Sequence, residues 1–157
     1  MRQFDNYQDP WHALRHEVDR SRRHGHPAAL VRIAPATASA SADRRARREL
    51  NGIAQRLQGL LRTIDCIWLQ KDAVYVLLPE ADRDSVEALI ARLRRVAPGL
   101  LPAGGVTMAC FPEDGLTANA LRATVSEVPK GAIKLNPGRL ARPSAARFER
   151  AQEADQS

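Results

Sequence analysis

The sequence predicts an α+β domain of the ferredoxin-like kind, a β-α-β-β-α-β run from about Ala28 to Phe111 folded as an antiparallel sheet with two helices on one face. Three observations carry that expectation. Short apolar runs, Ala28 to Ile33 and Val106 to Phe111, open and close the span. Two stripes of apolar residues at helical spacing lie between them. Between those stripes, two further apolar runs flank Gln70-Lys71-Asp72, which is the pattern of a hairpin.

Residues 1–9 are polar and read as a loose N-terminus. Pro10 suits the first position of a helix, and Trp11, Leu14 and Val18 give that helix one apolar face. His24-Gly25-His26-Pro27 stops it, and Pro35 closes the first strand. Small residues 34–42 read as a loop. Asp43 or Ser41 then caps a helix striped by Leu50, Ile53, Leu57, Leu60 and Leu61. Arg44, Arg45, Arg47 and Arg48 crowd its first turns and oppose the helix dipole, so either something besides helix stability or plain composition put them there. Cys66 to Leu69 and Ala73 to Leu78 form the hairpin, ended by Pro79. Asp82 or Asp84 caps the next helix, striped by Val86, Leu89, Ile90, Leu93 and Val96, and Thr117 caps a short one through Leu121 to Val125. The domain is thus placed at 10–128. Residues 129–157 read as a partly flexible extension.

At 157 residues the chain is one domain with tails, and 44% apolar against 27% charged residues is enough for a core. No apolar run approaches the ~20 residues of a membrane-spanning helix, and no secretory signal is visible. Cys66 and Cys110 form neither a disulfide framework nor a zinc set. These readings point to a soluble, reduced, cytoplasmic protein away from membranes. Its 24 basic residues outnumber 18 acidic ones, and all but Lys71, Lys130 and Lys134 are arginine. That balance permits an anionic partner without choosing one.

Several stretches resemble the GGDEF family of diguanylate cyclases. Glu17 to Pro27 followed by Ala28–Ile33 is similar to that domain's start. The hairpin ending Val76-Leu77-Leu78-Pro79-Glu80 resembles the strand after the family's signature turn, and Val106 to Thr117 resembles its fourth-strand segment. The resemblance covers roughly residues 11–127 and implies a nucleotidyl-cyclase-like version of the fold.

The departures bear on chemistry. Where the family carries metal-binding acids, this chain has Ala34-Pro35-Ala36, and nothing in residues 34–42 supplies a carboxylate for Mg²⁺. Where the family has Gly-Gly-Asp/Glu-Glu-Phe, the hairpin reads Gln70-Lys71-Asp72-Ala73-Val74, or Lys71 to Tyr75 in the other register, without glycines in either. The resemblance therefore implies a degenerate, non-enzymatic domain with no catalytic residues, metal or cofactor. One family site persists: the inhibitory Arg-x-x-Asp motif that binds cyclic di-GMP matches Arg62-Thr63-Ile64-Asp65, and the assisting arginine falls on Arg92. An arginine fork suits guanine O6/N7 or a phosphate, and a carboxylate accepts from guanine N1 and N2. The other reading is a purely structural Arg62–Asp65 pair, since a helix-end arginine also favours the dipole and the last carbonyls. The expected function is a regulatory module that binds cyclic di-GMP through Arg62, Asp65 and Arg92, in a ligand-linked homodimer. The alternative is a scaffold domain, without nucleotide binding, that contacts a partner protein.

Other constellations are weaker. His12 and His16 share a helix face but lack the glutamate of a His-Glu-x-x-His zinc motif, so surface histidines are the default. Nucleic acid is the rival class and is disfavoured. A stacking platform needs exposed aromatics, and only Trp68, Tyr75 and Phe111 lie on candidate strands.

Overall fold

The computed structural model describes residues 2–3, 9–35, 43–70, 72–102 and 105–127. Its elements in chain order are β1 (Arg2–Gln3), α1 (Pro10–His24), β2 (Ala28–Ile33), α2 (Asp43–Gln58), β3 (Cys66–Gln70), β4 (Ala73–Pro79), α3 (Arg83–Val96), β5 (Val106–Phe111) and α4 (Ala118–Ser126). The sheet order is β1-β3-β4-β2-β5. The last four strands are antiparallel neighbours and follow the expected β-α-β-β-α-β path. Arg2–Gln3, expected as loose chain, pairs in parallel with Cys66–Ile67 at the β3 edge. The proposed extension from residue 129 lies outside the described residues.

Local chemistry sets the helix ends. The Asp9 carboxylate accepts from Trp11 N at 3.0 Å, with Pro10 following it, and Gly25 closes α1 at φ 69°. That left-handed conformation is nearly free for glycine and costly for residues with a Cβ. Asp82, not Asp84, caps α3 through Ser85 N at 2.8 Å, and Thr117 caps α4 through Ala120 N at 3.1 Å. Arg83 at the start of α3 reaches Glu113 and Asp114, and Asp114 also accepts from Cys110 N, so the turn after β5 is clamped to the helix.

The sheet is covered on both faces. Ala29, Val31, Ile33, Val74, Val76, Leu78, Val106 and Met108 meet Leu50, Ile53 and Leu57 of α2 and Val86, Ile90 and Leu93 of α3. On the opposite face Ala28, Leu30, Trp68, Tyr75, Leu77, Ala109 and Phe111 meet Trp11, Leu14 and Val18 of α1 and Ala118, Leu121 and Val125 of α4. The reason lies in the strands themselves. β2, β4 and β5 are buried at every position, and strands without polar alternation need cover on two sides. Leu14, Leu30, Leu57 and Leu121 are nearly or fully excluded from solvent, and each contributes ~1.5–3 kcal/mol by burial.

Trp11 meets Trp68 and Tyr75 edge-on at centroid distances of 5.4 and 5.0 Å, and the Arg122 guanidinium lies 4.1 Å over the Trp11 ring. The aromatics that a base-stacking platform would need are therefore interior. Cys66 and Cys110 are buried too, and burial pushes the Cys110 thiol up to about 12. Cys110 is expected to resist iodoacetamide at pH ~8 in the native state and to label fully in urea. Mass spectrometry checks this, and rapid native labelling would contradict the burial.

Candidate functional site

The connection from α2 to β3 holds the predicted ligand motif. Leu60 N and Leu61 N both donate to Leu57 O, and Asp65 N donates to Arg62 O at 3.1 Å, which folds residues 62–65 into a tight turn. The turn is closed by its own side chains. Asp65 Oδ2 accepts from Arg62 N at 2.7 Å and from Arg62 Nε at 3.4 Å, while Oδ1 accepts from Arg62 Nη2 at 3.0 Å. The same Nη2 donates to Pro79 O at 3.0 Å, tying the turn to the end of β4. Asp65 is buried, its side chain 2% exposed, whereas that of Arg62 is 52% exposed. Arg92 also reaches this connection, but its Nη2 donates to Leu60 O at 2.9 Å, satisfying a carbonyl just past the α2 C-terminus. Arg62 and Asp65 are thus paired with each other, and Arg92 holds the neighbouring backbone.

Beside this turn runs a groove of about 1080 Å³ between α1 and the ends of β3 and β4. Thr63 and Ile64 form one wall, His12, His16 and Arg20 the other, and Pro79 and Glu80 the end. Arg20 donates to both oxygens of Glu17 and to Glu80, and these carboxylates raise its already high pKa. The groove wall is therefore held by a charge network with its partners already assigned.

The hairpin turn lies at the opposite end of the sheet. Gln70 and Ala73 are register partners, so Lys71-Asp72 is the whole loop. Asp72 Oδ2 accepts from Arg32 Nη2 at 2.9 Å. Arg32 sits on the central strand and is nearly buried, while Asp72 is 71% exposed. Next to this pair, Ala34 N donates to Gly105 O at 2.8 Å, stitching the end of β2 to the start of β5. A Cβ on Gly105 would lie 2.0 Å from Ala34 O, so backbone fills this corner. Arg32 escaped the sequence reading. Its signal was a lone charge inside the apolar run Ala28–Ile33, which calls for a counter-ion.

Among the described residues a divalent cation finds no donor set at this end. Ala34 and Pro35 carry no side-chain oxygen, Asp72 is committed to a guanidinium, and no group of three His, Cys, Asp or Glu converges among the described residues. His12 and His16 line the groove without a third ligand. No helix among the described residues is long and apolar enough to cross a membrane.

No family model matches the sequence, and no curated protein does. Solved structures match by shape. A GGDEF-only form of YfiN (TpbB) from Pseudomonas aeruginosa is 23% identical at a TM-score of 0.65, over 89% of this chain and 91% of that one. The active GGEEF domain of a diguanylate cyclase from Vibrio cholerae is 12% identical at 0.58, over 74% and 82%. The diguanylate cyclase SiaD of Pseudomonas aeruginosa, solved in complex with its activator SiaC, is 21% identical at 0.51, over 78% of this chain and 58% of that one. The four antiparallel strands with helices on both faces are the fold of a GGDEF domain.

Proposed function

We propose that this chain is a catalytically silent GGDEF-fold domain, working as a cytoplasmic regulatory module through contact with a partner protein or a second copy of itself. The observation that carries the reading is the Arg32–Asp72 ion pair. Joining two nucleoside triphosphates needs divalent cations held by carboxylate oxygens near the signature turn. Here the turn's lone acid neutralises an arginine of the central strand, and the strand end offers only Ala34 and Pro35. A GGDEF protein engaged by another protein has a precedent in SiaD with its activator.

A second reading, a cyclic di-GMP receptor using Arg62, Asp65 and Arg92, is favoured by the half-exposed Arg62 guanidinium beside the groove. It carries a cost: Asp65 must leave Arg62 before it can accept from guanine. Two measurements test these readings. Incubation with GTP and Mg²⁺, followed by chromatography, is expected to yield no cyclic or linear dinucleotide; turnover would overturn the silent reading. Calorimetric titration with cyclic di-GMP decides the second. Heat that disappears in a folded Arg62→Ala variant supports a receptor, and no heat at ~0.5 mM ligand, a concentration that would reveal even millimolar affinity, leaves the protein-contact form.

A further inference from the structure

Charge is segregated in this domain. The arginines of α1, of the turn after α2 and of the α3 N-terminus are mostly engaged with carboxylates. Like Arg23 and Arg56 elsewhere, Arg44, Arg45, Arg47 and Arg48 on α2 and Arg94 and Arg95 on α3 have no hydrogen-bond or ion-pair partner among the described residues, and all but Arg94 are exposed. Topology gathers them. α2 follows the end of β2 and α3 precedes the start of β5, and Ile33 and Val106 are register partners, so both helix ends lie at one end of the sheet. The described acid of the hairpin there, Asp72, is already neutralised by Arg32.

The four α2 arginines are placed against the stability of their own helix. They face the positive end of its dipole, and the pairs 44/47, 44/48 and 45/48 stand at the spacings where like charges repel. An external polyanion relieves both penalties at once. We infer that this end of the domain docks on the phosphate backbone of double-stranded nucleic acid, a proposal independent of the function proposed above.

Three observations select that partner. The patch is rich in guanidinium, with the acid Glu49 at its edge, and poor in apolar surface: of the large apolar side chains exposed in the described residues, only Val96 lies at this end, whereas protein interfaces centre on aromatic or aliphatic anchors. Single-stranded nucleic acid is held largely by stacking on aromatics, and Trp68, Tyr75 and Phe111 are buried under α1 and α4. Guanidinium forks match phosphate oxygens without reading bases, so binding is independent of sequence and strongly salt-dependent.

The test is fluorescence anisotropy of the full chain with a labelled, mixed-sequence DNA duplex of ~25 base pairs. For six phosphate contacts, log K is expected to fall with log salt at a slope of about −5, which weakens binding roughly a thousandfold from ~50 to ~200 mM salt. The variant Arg44→Gln/Arg45→Gln/Arg94→Gln/Arg95→Gln should bind at least tenfold more weakly with a slope near about −2. Arg23→Gln on α1 should bind like the parent. The pair Arg44→Gln/Arg45→Gln alone should melt at or above the parent temperature while binding less, which separates lost contacts from lost folding. Absence of binding at ~50 mM salt, equal binding by the fourfold variant, or capture of poly-glutamate in preference to duplex would each overturn the proposal, the last in favour of an acidic protein.

Discussion

Replacing Asp72 by alanine is expected to destabilise the domain by about 2 kcal/mol, although the residue is exposed in a two-residue turn. The cost falls on its partner. Arg32 projects from the central strand, with Leu30 buried in the same face and α1 and α4 covering it, and its side chain is 10% exposed. Without Asp72 that guanidinium keeps its burial and loses its counter-ion, the circumstance in which breaking an ion pair costs most. The exposed end of the pair admits water, which is why the expected figure lies below the 3–5 kcal/mol, roughly, of a fully buried pair. Arg32→Met removes the charge and keeps an unbranched apolar chain, so it should be neutral or slightly stabilising, and the double variant should resemble it. Urea unfolding of the three variants measures this. Loss of a residue kept for ligand or metal binding tends to leave stability unchanged or improved. A neutral Asp72→Ala would therefore make Asp72 a candidate functional acid and weaken the case for a silent domain.

The same pair shows where the sequence stops being readable. Helix ends depend on neighbours in the chain, so Pro10, Gly25 and the cap Thr117 were visible as letters and the cap of α3 was narrowed to Asp82 or Asp84, whereas Asp9 was read as loose chain. The hairpin was visible too, but its register was not: Gln70 read as part of the turn, and the structure pairs it with Ala73. Arg32 and Asp72 are 40 residues apart, and no local rule joins them. The second helical layer lies between these cases. The expected fold had two helices on one face; β2, β4 and β5, apolar but for Arg32 and Thr107 and buried at every position, need cover on the other face as well, which α1 and α4 supply. The Arg-x-x-Asp motif was legible as spacing, with a structural Arg62–Asp65 pair as one of its two readings, but the strand that holds the pair in place was not. Closure of the turn depends on Pro79 O arriving from another strand to hold Arg62 down. Arg92 was located by counting and does reach the right connection, yet it binds the carbonyl of Leu60.

That closure makes Arg62→Ala the second large expected effect, again about 2 kcal/mol. Asp65 is buried and its carboxylate accepts three bonds, all from Arg62. Truncating the arginine leaves the backbone N–H as the one remaining donor of the three and removes the link to Pro79 O. Asp65→Asn is milder, about 1 kcal/mol, since the amide oxygen can still accept from Arg62 N and the half-exposed guanidinium can turn to water. The two variants and their combination form a thermodynamic cycle, and a coupling energy of about 1–2 kcal/mol is expected by urea unfolding. The cycle also weighs the receptor reading. A ligand that draws both side chains onto itself must first spend that coupling energy, about tenfold in affinity for 1.4 kcal/mol. Cyclic di-GMP contacting Arg62 alone would then bind more tightly to Asp65→Asn than to the parent chain. Contact through both residues predicts the reverse, with Asp65→Asn weakening binding. If titration of the parent and Asp65→Asn gives no heat in either case, the turn is a structural clasp, and the regulatory surface of the domain lies elsewhere.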